Sequence, residues 1–250
     1  MQLSDYAGRY ESLRFSREGG VLEVTMHTRG GEAVWGITEQ SLHAELGFAF
    51  ADIARDIDNK VVLLTGTGAN FIAAMDAETR PPETDAPAIW RRIFREGVAL
   101  LENLLAIPVP VIAAVNGPAL IHAELAVLSD IVIAADHAEF ADVAHVPGGV
   151  VPGDGVQAVW LALLGPNRGR YFLLTGERIS AIEAKQLGIV GEVLPAAEVL
   201  RRARELAHGL AKNSSEMLRH TRRVLIRSLR HRMRDELELG LAVEALCQVG

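Results

Sequence analysis

An α/β fold is predicted by three observations. Short β-branched apolar runs alternate with longer helix-periodic stretches, the central runs are continuously apolar, and the chain after Pro195 shows helical periodicity alone. Residues 21–27 alternate apolar and polar, as an exposed-edge strand with one wet face does. Residues 39–56 carry an amphipathic helical pattern. Residues 61–65 form a continuous apolar run, the pattern of a strand covered on both faces. A polar stretch with Pro81 and Pro82 follows over 76–87 and reads as a mobile surface loop. A helix over 88–105 leads to a second buried strand over 109–115. A short helix over 123–129, a third buried strand over 131–134 and a helix over 156–164 continue the alternation. Residues 1–195 are thus expected to form the α/β core, and residues 196–250 a helical C-terminal region rich in Arg and Leu.

The chain has 250 residues, of which 49% are hydrophobic and 23% charged, so a large core can form. The formal net charge of −7 and the lack of basic segments interleaved with aromatics argue against nucleic acid as a partner. The Arg-rich segment 219–234 has helical spacing and reads as a solvated helix face. The single cysteine, Cys247, excludes a disulfide framework and a cysteine-based zinc site, and no pair of histidines has metal-ligand spacing. The N-terminus lacks a signal-peptide core, and no apolar run is long enough to cross a bilayer. A cytoplasmic location without membrane partners is the expectation. No dinucleotide or phosphate-loop glycine pattern is present.

Histidines supply the candidate chemistry. His145 stands nine residues before Asp154, which sits in the turn Pro152-Gly153-Asp154-Gly155. Imidazole suits deprotonation of water near neutral pH, and a carboxylate on its other nitrogen would fix the tautomer. Spacing alone leaves a second reading open: a loop histidine beside a turn-capping aspartate. His122 lies at the expected start of a helix, where it can donate a hydrogen bond to a carbonyl.

Four stretches together resemble the crotonase (enoyl-CoA hydratase/isomerase) superfamily. They are KVVLLTGT at 60–67 with the loop Asn70 to Asp76, PVIAAVNGPALIHAELAVLSD at 110–130, PGGVVPGDG at 147–155, and TGERISAIEAKQLGIVGEVLP at 175–195. The resemblance spans roughly residues 15 to 245. It implies a spiral of ββα units, a helical C-terminal trimerisation region giving a homotrimer or a dimer of trimers, and an oxyanion hole of two backbone N–H groups.

The sequence departs from the usual hydratase pattern in three places. Ala119-Leu120-Ile121-His122-Ala123 replaces a glycine-rich run, which predicts a weaker second oxyanion donor. Glu124 matches the first catalytic glutamate, but His145 stands where the second is expected. Asp154 occupies a position commonly held by a small residue. These departures are similar to the β-diketone hydrolases of the superfamily, which cleave carbon–carbon bonds in cyclic diketones of the 6-oxocamphor type. That resemblance implies catalytic roles for His145, Asp154, His122 and Glu244, substrate binding by His43, Trp35, Met75 and Glu124, and neither cofactor nor metal. Two other readings stay open: an acyl-CoA hydratase or isomerase using Glu124, and a non-catalytic assembly protein.

Overall fold

The computed structural model of the chain describes residues 1–79 and 86–249. Its centre is a six-stranded sheet, β1 (Leu13–Glu18), β2 (Val21–Met26), β3 (Val61–Gly66), β4 (Val111–Val115), β5 (Ile131–Ala135) and β8 (Glu192–Leu194), in that spatial order. β1 and β2 form an antiparallel hairpin, and every later pairing is parallel. The three continuous apolar runs are β3, β4 and β5, and all residues of β3 and β4 are buried. Strands covered on both faces need no polar positions, so their sequences lose the alternation of an exposed strand.

The strand expected at an exposed edge, β2, lies one place inside it. β1, unanticipated because its LRFSRE sequence mixes charges into a short run, takes the edge instead. Beyond each parallel strand the chain turns back and touches its neighbour again through single parallel bridges: Trp35 with Met75, Ile72 with Ala119, and Ala119 with Phe140. Each turn of chain therefore supplies a sheet strand, a short second pairing and a helix. This is the spiral of ββα units.

α1 (Leu42–Arg55) and α2 (Ala86–Ala106) pack against each other, and α3 is a single turn, Glu124–Val127. α4 (Val156–Leu164) and α5 (Pro166–Thr175) pair, followed by α6 (Ala181–Gln186). A two-stranded ribbon joins β6 (Glu139–Phe140) to β7 (Ile179–Ser180). Of the surface loop expected over 76–87, residues 80–85 lie outside the described residues.

The C-terminal region is helical from α7 (Ala196–Ala211) through α8 (Ser215–Leu225) to α9 (Arg227–Val249). α7 lies against β3, β4 and β5, so its buried Val199, Ala203 and Ala207 complete the sheet's own core. α9 packs on α2 and α4. It crosses the 150s loop where Gly153 and Gly240 meet: a Cβ on Gly153 would fall 2.2 Å from the Gly240 carbonyl oxygen. Only glycine permits that approach, and it carries Glu244 inward.

Candidate active site

The side chains that converge come from five segments. Trp35 follows β2, His43 opens α1, His122 and Glu124 flank the start of α3, Asp142 to Asp154 span the loop before α4, and Glu244 descends from α9. All of these named side chains are buried. Trp35 stacks on the His122 ring, with centroids 3.9 Å apart, and meets the His43 ring edge-on at 5.7 Å. The rings of His122 and His145 stand 6.1 Å apart.

Asp154 joins the two catalytic candidates. Its Oδ2 lies 3.3 Å from His145 Nε2 and 3.3 Å from His122 Nδ1. The carboxylate expected on the opposite nitrogen of His145 is not Asp154 but Asp142, whose Oδ1 lies 2.6 Å from Nδ1. His145 therefore faces a carboxylate at both ring nitrogens. Burial alone would favour its neutral form, but the Asp154 charge and the Asp142 hydrogen bond outweigh it, and the imidazole pKa is pushed up to about 12. Asp154 answers in kind. Its carboxyl is held far below the usual carboxylate range by His145 and His122, against the opposing effect of burial.

His122 Nδ1 also meets Glu124 Oε1 at 2.5 Å, and no described residue engages its Nε2. Burial works against its charge, yet the Glu124 and Asp154 carboxylates raise its pKa. The backbone of His122 is left-handed, with φ of 49°. The left-handed conformation usual for glycine is thus held by a histidine, at a strain of about 1–2 kcal/mol. Among the described residues the backbone N–H groups of His122 and Met75 donate no hydrogen bond. Neither N–H is therefore committed to a described partner. Met75 itself is half exposed and, with Trp35, Ile37 and Asp76, lines a cavity of about 400 Å³.

The third histidine is held differently. His43 Nδ1 lies 3.0 Å from Glu96 Oε2, and Arg92 Nη1 donates to both oxygens of the same carboxylate. Burial lowers the His43 pKa and outweighs the Glu96 hydrogen bond, leaving the ring neutral. Glu244 hydrogen-bonds to no described residue. Burial first, then the nearby Asp154 charge, push its carboxyl up to about 8. Among the described residues, one oxygen each of Glu124, Asp142, Asp154 and Glu244 is buried without a partner.

All eight residues predicted from the sequence fall in or beside this cluster. Asp142, Glu96 and Arg92 were not foreseen. Asp142 stands three residues before His145, a spacing that could have flagged it; Glu96 sits among the arginines of α2 and carries no local signal. His122, Glu124 and Asp154 offer ligand atoms all within 4.8 Å of one another. A cation there would have to displace the proton that His122 shares with both carboxylates.

The chain matches a family model described as enoyl-CoA hydratase/isomerase over residues 16–247. Carnitinyl-CoA dehydratase of Salmonella arizonae is 35% identical over 211 residues, covering 82% of this chain and 76% of that protein. A β-diketone hydrolase from the cyanobacterium Anabaena sp. PCC 7120, solved with (S)-3-oxocyclohexyl acetic acid bound, superposes with a TM-score of 0.92 at 42% identity, covering 98% of this chain and 96% of its own. An enoyl-CoA hydratase/isomerase from Mycobacterium paratuberculosis superposes with a TM-score of 0.83 at 27% identity, covering 96% and 94%.

Proposed function

We propose a function for a chain that belongs to the enoyl-CoA hydratase/isomerase, or crotonase, family: this enzyme hydrolyses a carbon–carbon bond of a cyclic β-diketone by a retro-Claisen reaction. The observation that carries the reading is the convergence of His122 and His145 on one oxygen of Asp154, 3.3 Å from each. A hydratase that adds water with two glutamates has no use for imidazolium at the second position. A diketone hydrolase must stabilise an oxyanion and then protonate a carbanion, and a fixed imidazolium serves both needs. The 42% identity to a β-diketone hydrolase supports the same reading.

In this mechanism one carbonyl oxygen accepts a hydrogen bond from His122 Nε2, assisted by the free backbone N–H groups. Trp35 supplies the apolar floor under the ring. Water adds to a carbonyl carbon and gives up a proton, which restores His145 at the end of the cycle, and the tetrahedral oxyanion collapses with cleavage of the carbon–carbon bond. The bonding pair passes to the α-carbon and spreads into the second carbonyl as an enolate. His145 delivers a proton to that carbon. Asp142 keeps Nδ1 of His145 engaged, so the transferable proton is the one on Nε2. The second carbonyl is the electron sink, so the step calls for no cofactor. The product is a keto acid.

The test is the loss of ultraviolet absorbance of cyclic 1,3-diketones on incubation with the protein. We expect turnover by the native protein and a fall of at least a hundredfold in His145→Ala. Full activity in that variant would refute the assignment. A second reading, a CoA-ester dehydratase or hydratase, draws on the 35% identity to carnitinyl-CoA dehydratase and on buried Glu124. Turnover of crotonyl-CoA or carnitinyl-CoA with inert diketones would favour it.

A further inference from the structure

We propose that Arg29 and Asp76 are positioning residues: their ion pair clamps the 74–79 loop to the segment carrying Trp35 and so fixes the wall of the substrate cavity, an assignment that rests on the diketone-hydrolase function proposed above. Two stretches of chain, far apart in sequence, build that wall. Trp35 and Ile37 follow β2, whereas Met75, Asp76, Ala77 and Thr79 follow β3, and together they line the cavity of about 400 Å³. The backbone joins the two stretches through a single parallel bridge. Trp35 N–H donates to the Ala74 carbonyl at 2.8 Å, and Asp76 N–H donates to the Trp35 carbonyl at 2.7 Å. A residue flanked in this way turns its own N–H to the opposite edge. The bridge thus sets the direction of the Met75 N–H, one of the two that assist at the carbonyl oxygen in the proposed reaction.

Two hydrogen bonds are a short anchor for a loop beside a cavity, and the side chains extend it. Arg29 Nη1 and Nη2 donate to the two oxygens of Asp76, at 2.9 and 3.0 Å. A forked pair of this kind fixes orientation as well as distance. The Arg29 side chain is half exposed, but that of Asp76 is only 4% exposed, so the carboxylate end is shielded from solvent. The same carboxylate also shapes the loop. It accepts from the Glu78 N–H at 3.1 Å and from the Thr79 hydroxyl at 2.9 Å. Asp76 therefore gathers the 76–79 turn, and Arg29 ties that turn back to the chain leaving β2.

Arg29 reaches Asp76 from a strained backbone. Its φ is 51°, and Gly30 follows at 83°. Two successive left-handed residues make a tight turn that glycine, asparagine or aspartate fills most easily. The turn is closed by Gly31 N–H on the Thr28 carbonyl and by Gly30 N–H on His27 Nδ1. Neither contact uses the Arg29 side chain, so closing the turn does not account for an arginine there. The forked contact with Asp76 does, and strain of this kind persists where surrounding contacts hold it in place.

The experiment compares Arg29→Gly, Arg29→Lys and Asp76→Asn with the native protein. Arg29→Gly suits the left-handed backbone, so it removes the guanidinium without disturbing the turn. On a cyclic 1,3-diketone we expect kcat to fall by about 10–100-fold in Arg29→Gly and in Asp76→Asn with KM changed little, a smaller effect than deleting an oxyanion donor outright. Arg29→Lys keeps the charge but not the fork, and should recover part of the rate. Combining Arg29→Gly with Asp76→Asn should lower kcat little further than either alone, since both remove one contact. Amide hydrogen exchange supplies a readout that needs no substrate. The N–H groups of Trp35 and Asp76 should exchange faster in Arg29→Gly, while those of β3 and β4 keep their native rates. A kcat within about threefold of native in Arg29→Gly would overturn the assignment, as would a lower Tm with unchanged kinetics, the mark of a contact that serves stability alone. Native exchange rates at Trp35 and Asp76 in that variant would overturn it whatever the substrate. A native protein inert towards every diketone would sink the proposed function instead, and the exchange rates would still decide whether the clamp exists.

Discussion

Replacing Glu244 by Gln should change how stability depends on pH, and the size of the change follows from its surroundings. Glu244 is 5% exposed, has one oxygen sealed without a partner, and faces Asp154 and Asp142 as well as His145 and His122. Its carboxyl is raised from an ordinary 4.5 to about 8, burial being the leading cause. The folded protein therefore holds a proton here between those two values that the unfolded chain has released. Stability that is fully present below about pH 4.5 is lost as pH rises towards 8. The rate of loss is about 1.4 kcal/mol per pH unit, so the total is on the order of 5 kcal/mol. A glutamine has no proton to lose, and its slope from this site is zero. Chemical denaturation of Glu244→Gln and native protein, at pH steps from 5 to 8, should show the variant gaining on the native protein at every step. A difference that stays constant across that range, or grows in the other direction, would refute the picture of a carboxyl kept neutral by burial and the Asp154 charge.

Two further outcomes are expected. Asp142→Asn removes the carboxylate on His145 Nδ1, so activity should drop by about 10²–10⁴-fold, by analogy with other carboxylate–histidine pairs; the His145 pKa should also fall from about 12, and a pH–rate profile would show its alkaline limb moving down. Gly153→Ala places a Cβ 2.2 Å from the Gly240 carbonyl oxygen, so α9 must shift and withdraw Glu244; calorimetry should show a lower Tm, and diketone turnover should fall with it.

Much of the architecture was legible because burial writes itself into composition. β3, β4 and β5 are almost wholly apolar because nearly all of their residues are buried on both faces of the sheet. β1 was not legible, because an edge strand of six residues with three charges resembles a loop. The ribbon strands β6 and β7 have two residues each, too few to carry any periodicity. Helix positions were read well where an amphipathic face persisted for several turns, as in α1 and α2. The short α3, expected over 123–129, spans only Glu124–Val127; the left-handed His122 fixes its start, two residues before Glu124.

The site divides along a different line. Which residue types gather could be read from motifs, but which of them carry protons could not. His43 and His145 are the same side chain, and both touch a carboxylate within 3.0 Å. They differ because His145 meets two carboxylates that pair with no arginine among the described residues, while Glu96 beside His43 gives part of its charge to Arg92. Glu96 stands 53 residues from His43 in the chain, and its neighbours Arg92 and Arg95 make it look like one more member of a solvated helix face. Only its 7% exposure separates it from the glutamates that are one. Protonation is set by the third charge in each group, and that charge arrives through the packing of α2 on α1. Acid and base assignments in such a site therefore belong to tertiary structure, and a motif that names the histidines leaves their roles undetermined.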